Sequence, residues 1–196
     1  MWDQRYSSDT FVYGTKPNDF LAEQAHRIPA GTVLCLAEGE GRNAVHLAGL
    51  GFEVHAVDLS SVGRDKALKL AQQTGVDIRY DVGDLAHLEL GENRWSGIVS
   101  IFAHTPSTLR RQLHGKIAQA LKPGGVFILE GFSLDQLASS GTGGPQNPDM
   151  LMSLHELREE LSELDLQIAQ EGIRRVDEGE LHQGECCVVQ IVAVKA

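Results

Sequence analysis

The chain of 196 residues is long enough for one domain with a buried core, and its composition, 42% hydrophobic and 22% charged, is ordinary for a globular protein. Its formal net charge of −10 argues against a nucleic-acid partner, because phosphate backbones require clustered Lys and Arg. No apolar run reaches the ~18 residues of a membrane span and no signal-peptide pattern is present, so we expect a cytoplasmic protein with no membrane partner. Its three cysteines have neither a disulfide pattern nor the spacing of zinc ligands, so no metal site is expected.

Strands and helices are predicted to alternate along most of the sequence. Strands are expected at residues 32–36, 53–57, 77–81, 95–102 and 126–130, and the helices between them at residues 43–50, 61–73 and 107–121. A glycine-rich loop at 133–149 follows, and then a helix that begins at the capping box of Ser153 and Glu156. Two final strands, at 166–176 and 185–194, are joined by a loop too short for a crossover helix and are expected to pair antiparallel. The pattern predicts an α/β fold with a doubly wound sheet.

The alternation occupies residues 31–196, which we expect to form a single domain together with residues 1–30, because no linker separates them. Residues 1–30 are rich in aromatic side chains, although the whole chain is only 6% aromatic. They are Trp2, Tyr6, Phe11, Tyr13 and Phe20. This clustering predicts an N-terminal lid that covers the cofactor and excludes water, with a packing arm at the sheet edge as the alternative. Residues 141–148 are a second candidate gate, at the substrate entrance.

The segment 37–43, AEGEGRN, joins the first strand to the first crossover helix, and we call it the glycine loop. Residues 39–44 satisfy the G-x-G-x-x-A pattern of dinucleotide-binding loops, in which a pyrophosphate rests on a helix N-terminus. Here Glu38 and Glu40 flank Gly39 and would repel a pyrophosphate at close range. S-adenosylmethionine presents a sulfonium and an ammonium to such a loop, so the carboxylates favour this methyl donor over NAD. An NAD-dependent oxidoreductase and a non-catalytic S-adenosylmethionine-binding protein are the alternatives.

Residues after the first three predicted strands are candidates for holding the adenosyl group. Gly39 and Gly41 let a ligand approach the backbone, unless they only form a tight turn. Asp58, at the tip of the second strand, can accept both ribose hydroxyl hydrogen bonds, with a helix cap as its alternative role. Asp84 can accept the adenine amino group while the Leu85 N–H bonds a ring nitrogen, or Asp84 is a turn carboxylate. The candidate cofactor-binding set also contains Glu38, Asn43, Leu59 and Phe102.

Two histidines are candidate catalytic residues. His104 follows the fourth strand, at the edge where open α/β sheets bind ligands, and is a candidate proton acceptor because its unperturbed pKa lies near neutrality. Its alternative role is only to position a backbone carbonyl. Phe102, on the same edge, can stack near the adenine or close over the methyl group. His182 lies between the last two strands, where it either faces the same cleft or is a surface loop histidine.

Several of these features stand in a fixed order along the chain. They are the glycine loop, Asp58, the pair Asp84 and Leu85, and the segment LKPGG at 121–125 before a strand. This order resembles that of the class I S-adenosylmethionine-dependent methyltransferases. Four segments are more specifically similar to the small methyltransferases of the tellurite-resistance and thiopurine-methyltransferase-like group. These segments are WDQRY at 2–6, YGTKPN at 13–18, AEGEGRN at 37–43 and GELH at 179–182.

The resemblance implies a Rossmann-like, seven-stranded, mostly parallel sheet with an antiparallel last strand. It implies S-adenosylmethionine as the cofactor and a small-molecule acceptor, either a thiol or a selenite- or tellurite-type oxyanion, methylated by an SN2 reaction. It also implies that Arg5 or Tyr13 bonds the methionine carboxylate and that His182 contacts the substrate. We expect a monomer or a weak homodimer.

The sequence departs from the family pattern at two places. Cys35 stands where many class I methyltransferases have an acidic residue, so the acidic function is expected at Glu38. Gln183 replaces the arginine that follows the histidine in tellurite-resistance enzymes. An acidic surface does not steer an anion from a distance, so oxyanion specificity would require local cations such as Arg174 or Arg175.

Overall fold

The computed structural model describes residues 1–196 and contains one sheet. The strands are β1 (Thr32–Leu36), β2 (Glu53–Asp58), β3 (Arg79–Val82), β4 (Trp95–Ile101), β5 (Leu121–Phe132), β6 (Asp165–Glu178) and β7 (His182–Val194). The helices are α1 (Trp2–Arg5), α2 (Asp19–Gln24), α3 (Arg42–Gly49), α4 (Ser61–Thr74), α5 (Ser107–Ala120) and α6 (Leu154–Glu160). No helix combines the length and the apolar character that crossing a membrane requires.

The strand order β3-β2-β1-β4-β5-β7-β6 confirms the predicted doubly wound sheet of seven strands. β1 pairs in parallel with both β2 and β4, so the order of the strands reverses between these two neighbours. β7 is the antiparallel strand and lies between β5 and β6. The carboxyl ends of β1 and β4 therefore lie side by side at the switch point, where open α/β sheets bind their ligands.

Both faces of the sheet are buried, which explains why its strands read as nearly continuous apolar runs. Along β5, Phe127 and Leu129 belong to the core on one face, and Val126 and Ile128 belong to the core on the other. Helices α5 and α6 cover the first face, and α2, α3 and α4 contribute to the second. The helix α6 begins as predicted, because the Ser153 hydroxyl caps it.

Several predicted strand boundaries are wrong. β5 begins at Leu121, inside the predicted helix, because Leu121 pairs with Trp95 across an irregularity in the register. The hairpin of β6 and β7 extends to the pair Glu178 and His182, beyond the predicted ends of both strands. Its added length carries polar and charged side chains, of which Glu178 is held by ion pairs with Arg42 and Arg174. Periodicity of apolar residues does not detect such an extension.

Candidate cofactor and substrate site

The glycine loop leaves β1 in an unusual backbone conformation. Ala37, Gly39 and Gly41 have φ values of 49°, 64° and 91°. A Cβ on Gly41 would lie 2.4 Å from the Cβ of Ala67 in α4. A Cβ on Gly39 would lie 2.8 Å from the hydroxyl oxygen of Tyr6. Both glycines are therefore required for the close approach of other parts of the chain to the loop.

Ala37 carries backbone strain in this loop. An alanine in the left-handed region is disfavoured by about 1–2 kcal/mol, whereas glycine adopts that region freely. We expect Ala37→Gly to raise the free energy of unfolding by about 0.5–1 kcal/mol, once the greater freedom of glycine in the unfolded chain is included. The control Ala48→Gly, within α3, should lower it by about 1 kcal/mol. Urea denaturation followed by circular dichroism measures both values, and a destabilised Ala37→Gly protein would contradict the strain.

Asp58 ends β2 and connects the glycine loop to the start of α4. Its Oδ2 accepts a hydrogen bond from the N–H of Gly39 (3.0 Å), and its Oδ1 accepts one from the N–H of Ser60 (2.8 Å). Burial raises the pKa of the Asp58 carboxyl group. Ser60 is the residue that caps α4, since its hydroxyl accepts a hydrogen bond from the N–H of Gly63. The cap considered as an alternative role for Asp58 is thus supplied by Ser60.

The two carboxylates of the glycine loop have different partners. Glu38 lies beneath the start of α3, where its Oε1 accepts hydrogen bonds from the N–H groups of Asn43 (2.9 Å) and Ala44 (2.8 Å). Burial raises the pKa of Glu38 to about 7, although these two N–H groups oppose the shift. Glu40 instead accepts a hydrogen bond from the N–H of Val12 (2.8 Å). One carboxylate therefore holds α3 and the other holds the N-terminal segment.

The N-terminal arm, residues 1–30, lies against the glycine loop and α4. Lys66 of α4 donates hydrogen bonds to three backbone carbonyls of the arm and also forms an ion pair with Glu40. The carbonyls belong to Tyr6, Ser8 and Thr10, at 3.3, 3.0 and 2.6 Å. Tyr6, one of the aromatic residues of the predicted lid, is buried in this structure.

Two further hydrogen bonds hold the arm against the rest of the chain. Asp3 accepts a hydrogen bond from the hydroxyl of Ser60 (2.5 Å), next to the cofactor candidate Asp58. The N–H of Asn18 donates to the side-chain oxygen of Asn43 (2.9 Å). Asn43, a predicted cofactor residue, therefore contacts the arm in this structure.

Four rings from distant parts of the chain form an aromatic cluster at the carboxyl ends of β4 and β5. They belong to Tyr13, Phe102, Phe132 and His182. The centroid of the His182 ring lies 4.5 Å from that of Tyr13, 4.7 Å from that of Phe102 and 5.2 Å from that of Phe132. Tyr13 also accepts a hydrogen bond from Arg5 (3.1 Å). The structure thus brings together four predicted site residues and adds Phe132, which lies beyond the predicted end of β5.

Phe102 is strained in this cluster. Its φ of 51° is unusual for a bulky residue, and its N–H donates a short hydrogen bond to the carbonyl of Glu130 (2.7 Å). Ala37 and Phe102 thus follow neighbouring strands, β1 and β4, with left-handed backbones at the switch point. Backbone strain of this kind concentrates at functional sites.

His104 uses both of its ring nitrogens within the protein. Nδ1 donates a hydrogen bond to the carbonyl of Met150 (2.8 Å), and Nε2 accepts one from the N–H of Phe132 (3.2 Å). This bonding assigns the neutral tautomer with its proton on Nδ1. Burial lowers the pKa of His104 to about 4, although the Met150 carbonyl opposes the shift. His104 therefore has the geometry of a residue that positions the backbone.

His182 is enclosed by the aromatic cluster and has a carboxylate beside it. Its Nδ1 lies 3.7 Å from Oε2 of Glu178 and has no hydrogen-bond partner. Burial lowers the pKa of His182, although Glu178 opposes the shift. A Cβ on Gly143 would lie 2.8 Å from Cδ2 of His182 and 2.7 Å from Cζ of Phe132. The backbone at Gly143 therefore lies directly against the two rings.

A buried network of charged groups lies next to this cluster. Nε of Arg174 donates to both carboxylate oxygens of Glu130 (3.1 Å each). Glu178 accepts hydrogen bonds from Arg42 (2.6 Å) and from Arg174 (2.9 Å). The side-chain amide of Asn18 donates to both Glu130 and Glu178. Each arginine is thus paired with a buried carboxylate, and sequence reasoning missed both carboxylates.

The adenine candidates lie after β3. Oδ1 of Asp84 accepts a hydrogen bond from the N–H of Ala86 (2.9 Å), so this residue caps a short 3-10 turn. Leu85 is buried, whereas Leu59 is 54% exposed beside Asp58. A small crevice at the carboxyl ends of β1 and β4 includes Leu36, Leu85, Ser100 and Ala103 in its lining.

Solved structures share this fold along almost the whole chain. A protein described for the conversion of a disulfide bond into a thioacetal group during echinomycin biosynthesis matches with a TM-score of 0.78 at 20% identity, covering 99% of this chain and 90% of that one. TehB from Haemophilus influenzae has a TM-score of 0.75 at 16% identity, covering 100% of this chain and 66% of that one. A S-adenosylmethionine-dependent methyltransferase from Clostridium acetobutylicum has a TM-score of 0.69 at 15% identity, covering 100% and 96%. The fold is that of the class I methyltransferases.

Just under half of the sequence matches a family model. Residues 33–125 match the sequence model of the family described as "Methyltransferase domain", a span that includes the glycine loop, Asp58 and Asp84. A search of curated protein sequences finds no match. The chain therefore contains a methyltransferase domain with the class I fold, and S-adenosylmethionine is the cofactor of such a domain.

Proposed function

We propose that this methyltransferase acts on a small molecule, whose nucleophile is a thiol or a selenite- or tellurite-type oxyanion, by an SN2 methyl transfer. The observation that carries the proposal is the aromatic cluster around His182, which the N-terminal arm and the backbone at Gly143 enclose. Clustered rings offer apolar contacts to a small acceptor, whereas a macromolecular acceptor needs an open surface.

The residues around the glycine loop suit a cationic adenosyl ligand. Glu38 and Glu40 are buried acidic residues within the loop and Asp58 is a buried acidic residue beside it, so a positive ligand charge is favoured there and a pyrophosphate is not. We assign Asp58 to the ribose hydroxyls, and Asp84 with the N–H of Leu85 to the adenine. Arg5 or Tyr13 is assigned to the methionine carboxylate, and the remaining contacts to Gly39, Gly41, Asn43, Leu59 and Phe102. When bound, S-adenosylmethionine supplies a methyl group on a positively charged sulfur.

The protein contributes mainly by alignment and by excluding water. Holding a nucleophile in line with a reactive carbon can lower a barrier by about 7–11 kcal/mol. The N-terminal arm acts as the lid over this site, and the cluster rings orient the acceptor. His104 keeps Phe132 and the Met150 turn in place, and His182 is the group available to accept a proton.

The charges near the cluster favour the thiol over the oxyanion. Arg174 is paired with Glu130 and Glu178, and Arg42 is paired with Glu178, so neither guanidinium offers an uncompensated charge to an anion. Gln183, in the position of the family's arginine, adds no charge. The neighbour described for the conversion of a disulfide bond into a thioacetal group also acts in sulfur chemistry.

A direct assay separates the candidates. The purified protein is incubated with S-adenosylmethionine and, in separate reactions, aromatic thiols, aliphatic thiols, selenite and tellurite. Mass spectrometry measures S-adenosylhomocysteine and the methylated product. We expect turnover with apolar thiols and at least 10-fold less with the oxyanions. Tight binding of S-adenosylhomocysteine with no methylated product from any of these acceptors would contradict the proposed enzyme activity on them.

Gly143→Ala should impair the acceptor side of the site. An added Cβ would collide with the rings of His182 and Phe132, and the φ of 125° is itself unfavourable for alanine. We expect KM for the acceptor to rise about 10-fold or more, since displaced rings lose much of the ~1–3 kcal/mol of apolar contact that such a pocket supplies. The affinity for S-adenosylhomocysteine should be unchanged.

Gly172→Ala is the matched control for this substitution. Gly172 lies in the edge strand β6, where a Cβ meets open space. It should leave KM and kcat as they are. An unchanged KM in Gly143→Ala would show that the acceptor does not bind against the cluster.

A further inference from the structure

The two ring nitrogens of His182 have different surroundings. Nδ1 is fully buried, has no hydrogen-bond partner and faces Oε2 of Glu178 at 3.7 Å. The opposite edge of the ring, at Cδ2, faces the backbone of Gly143. Nε2 adjoins Cδ2 in the ring, so it lies on the side of Gly143 and away from Glu178. A buried polar atom without a partner is rare and requires an explanation.

Glu178 is held as a carboxylate by its other neighbours. It accepts hydrogen bonds from Arg42 (2.6 Å), Arg174 (2.9 Å) and the amide of Asn18 (2.9 Å). Burial alone would raise the pKa of Glu178, but His182 and the two arginines outweigh burial and lower it to about 2. An ionised carboxylate only accepts hydrogen bonds, and its negative charge at 3.7 Å favours the tautomer of His182 that carries its proton on Nδ1.

We propose that Glu178 is a positioning residue, whose carboxylate keeps the proton of neutral His182 on Nδ1 and so leaves Nε2 free to accept the proton of the acceptor thiol. This inference rests on the proposed function. The acceptor sulfur forms a bond to the methyl carbon as the bond from that carbon to the donor sulfur breaks, with its electron pair staying on the donor sulfur. The thiol proton moves to Nε2, so the positive charge lost by the sulfonium is gained by the imidazole.

The surroundings of His182 favour a base that is neutral before the reaction. The charged and titratable groups around it are Glu178 and Arg174 of β6, Arg42 of α3, Tyr13 of the arm and His104 after β4. Burial and the two arginines oppose protonation of the ring, and Glu178 alone favours it. Glu178 therefore stabilises the imidazolium that the reaction would form, as well as selecting the tautomer.

The first test needs neither a variant nor an acceptor. The ¹⁵N chemical shifts of the His182 ring in the wild-type protein, measured by long-range proton correlation, identify which nitrogen carries the proton. We expect the Nδ1–H tautomer at pH 7. A ring with its proton on Nε2 overturns the inference, whatever the outcome of the methyl-transfer assay.

The second test compares Glu178→Gln with Glu130→Gln. Both variants remove one carboxylate from the network of Arg174, but Glu178 is the one that faces His182. In Glu178→Gln we expect the Nε2–H tautomer to increase, kcat for thiols to fall about 10–100-fold, and the acidic limb of the kcat profile to move to lower pH. Glu130→Gln should keep the wild-type tautomer and pH profile.

Stability is measured in parallel, because both substitutions alter buried ion pairs. Activities are compared at a temperature where thermal melts show each variant to be folded. Equal losses of kcat in the two variants, without a change in tautomer or in the pH profile, would assign Glu178 a structural role and refute the inference. If neither variant folds, the tautomer of the wild-type protein decides the question.

Discussion

Replacing Asp58 with alanine is expected to lower the affinity for S-adenosylhomocysteine by about 100-fold or more. Hydrogen bonds to a charged acceptor contribute about 1.5–3 kcal/mol each, and the proposed ribose contact contains two of them. The substitution also removes the acceptor of the Gly39 N–H bond (3.0 Å), so the glycine loop loses a fixed point. Isothermal titration calorimetry of the purified variant measures the change directly.

Two controls separate the ribose contact from the loop contact. Asp58→Asn keeps the shape and one acceptor oxygen but not the charge, so its affinity should lie between those of wild type and Asp58→Ala. Asp81→Ala removes an exposed carboxylate of the neighbouring strand β3, which pairs with Arg79, and should leave affinity unchanged. Wild-type affinity in Asp58→Ala would exclude Asp58 as a ribose ligand.

The architecture was predictable because it is encoded locally. The buried strand β4 (Trp95–Ile101) is a continuous apolar run, and α5 shows apolar positions on one face. The doubly wound sheet followed from the alternation of strand and helix, whereas the order of its strands comes from the structure. What the pattern missed is the extension of the β6–β7 hairpin, whose last pairs join polar and charged residues, Asp177 with Gln183 and Glu178 with His182.

The candidate site was predictable only in part, because its contacts are distant in sequence. Tyr13, Phe102 and His182 were all candidates, but nothing local indicated that their rings would meet. Glu130 and Glu178 gave a weak signal, as acidic residues at the ends of strands. Their role depends on partners that folding brings together, and Asn18 and Glu178 are separated by 160 positions.

The glycine loop shows how one charge pattern can have two consequences. Glu38 and Glu40 were interpreted as features that exclude a pyrophosphate, and the match to a methyltransferase domain agrees with that interpretation. In the structure each carboxylate also has a local function, since Glu38 bonds the first turn of α3 and Glu40 bonds the arm. Local electrostatics was sufficient to choose between cofactors, although it did not reveal these contacts.

Arg174→Ala is expected to lower the free energy of unfolding by about 3–5 kcal/mol at pH 7, because removal of one partner leaves buried carboxylates uncompensated. Arg174 bonds both oxygens of Glu130, which is completely buried, and also bonds Glu178. Glu130 of β5 would then lack its cationic partner from the β6–β7 hairpin, whereas Glu178 would keep Arg42. Arg175→Ala is the matched control, since Arg175 is the next residue in β6 and is exposed, and its replacement should change stability by less than about 0.5 kcal/mol.

The pH dependence of this loss distinguishes electrostatics from packing. The pKa of Glu178 is lowered from 4.5 to about 2 in the folded protein, so its ion pairs stabilise the wild type above pH 4.5 and this contribution disappears as the pH falls toward 2. In Arg174→Ala the ionised carboxylates are less stabilised, so they protonate at a higher pH. The variant therefore loses less free energy of unfolding than the wild type when the pH is lowered. The difference between wild type and variant should therefore be largest at neutral pH and shrink below pH 4.5 in urea denaturation curves. A difference that stays constant with pH would mean that Arg174 acts through the packing of its aliphatic portion, and that the buried carboxylates do not depend on its charge.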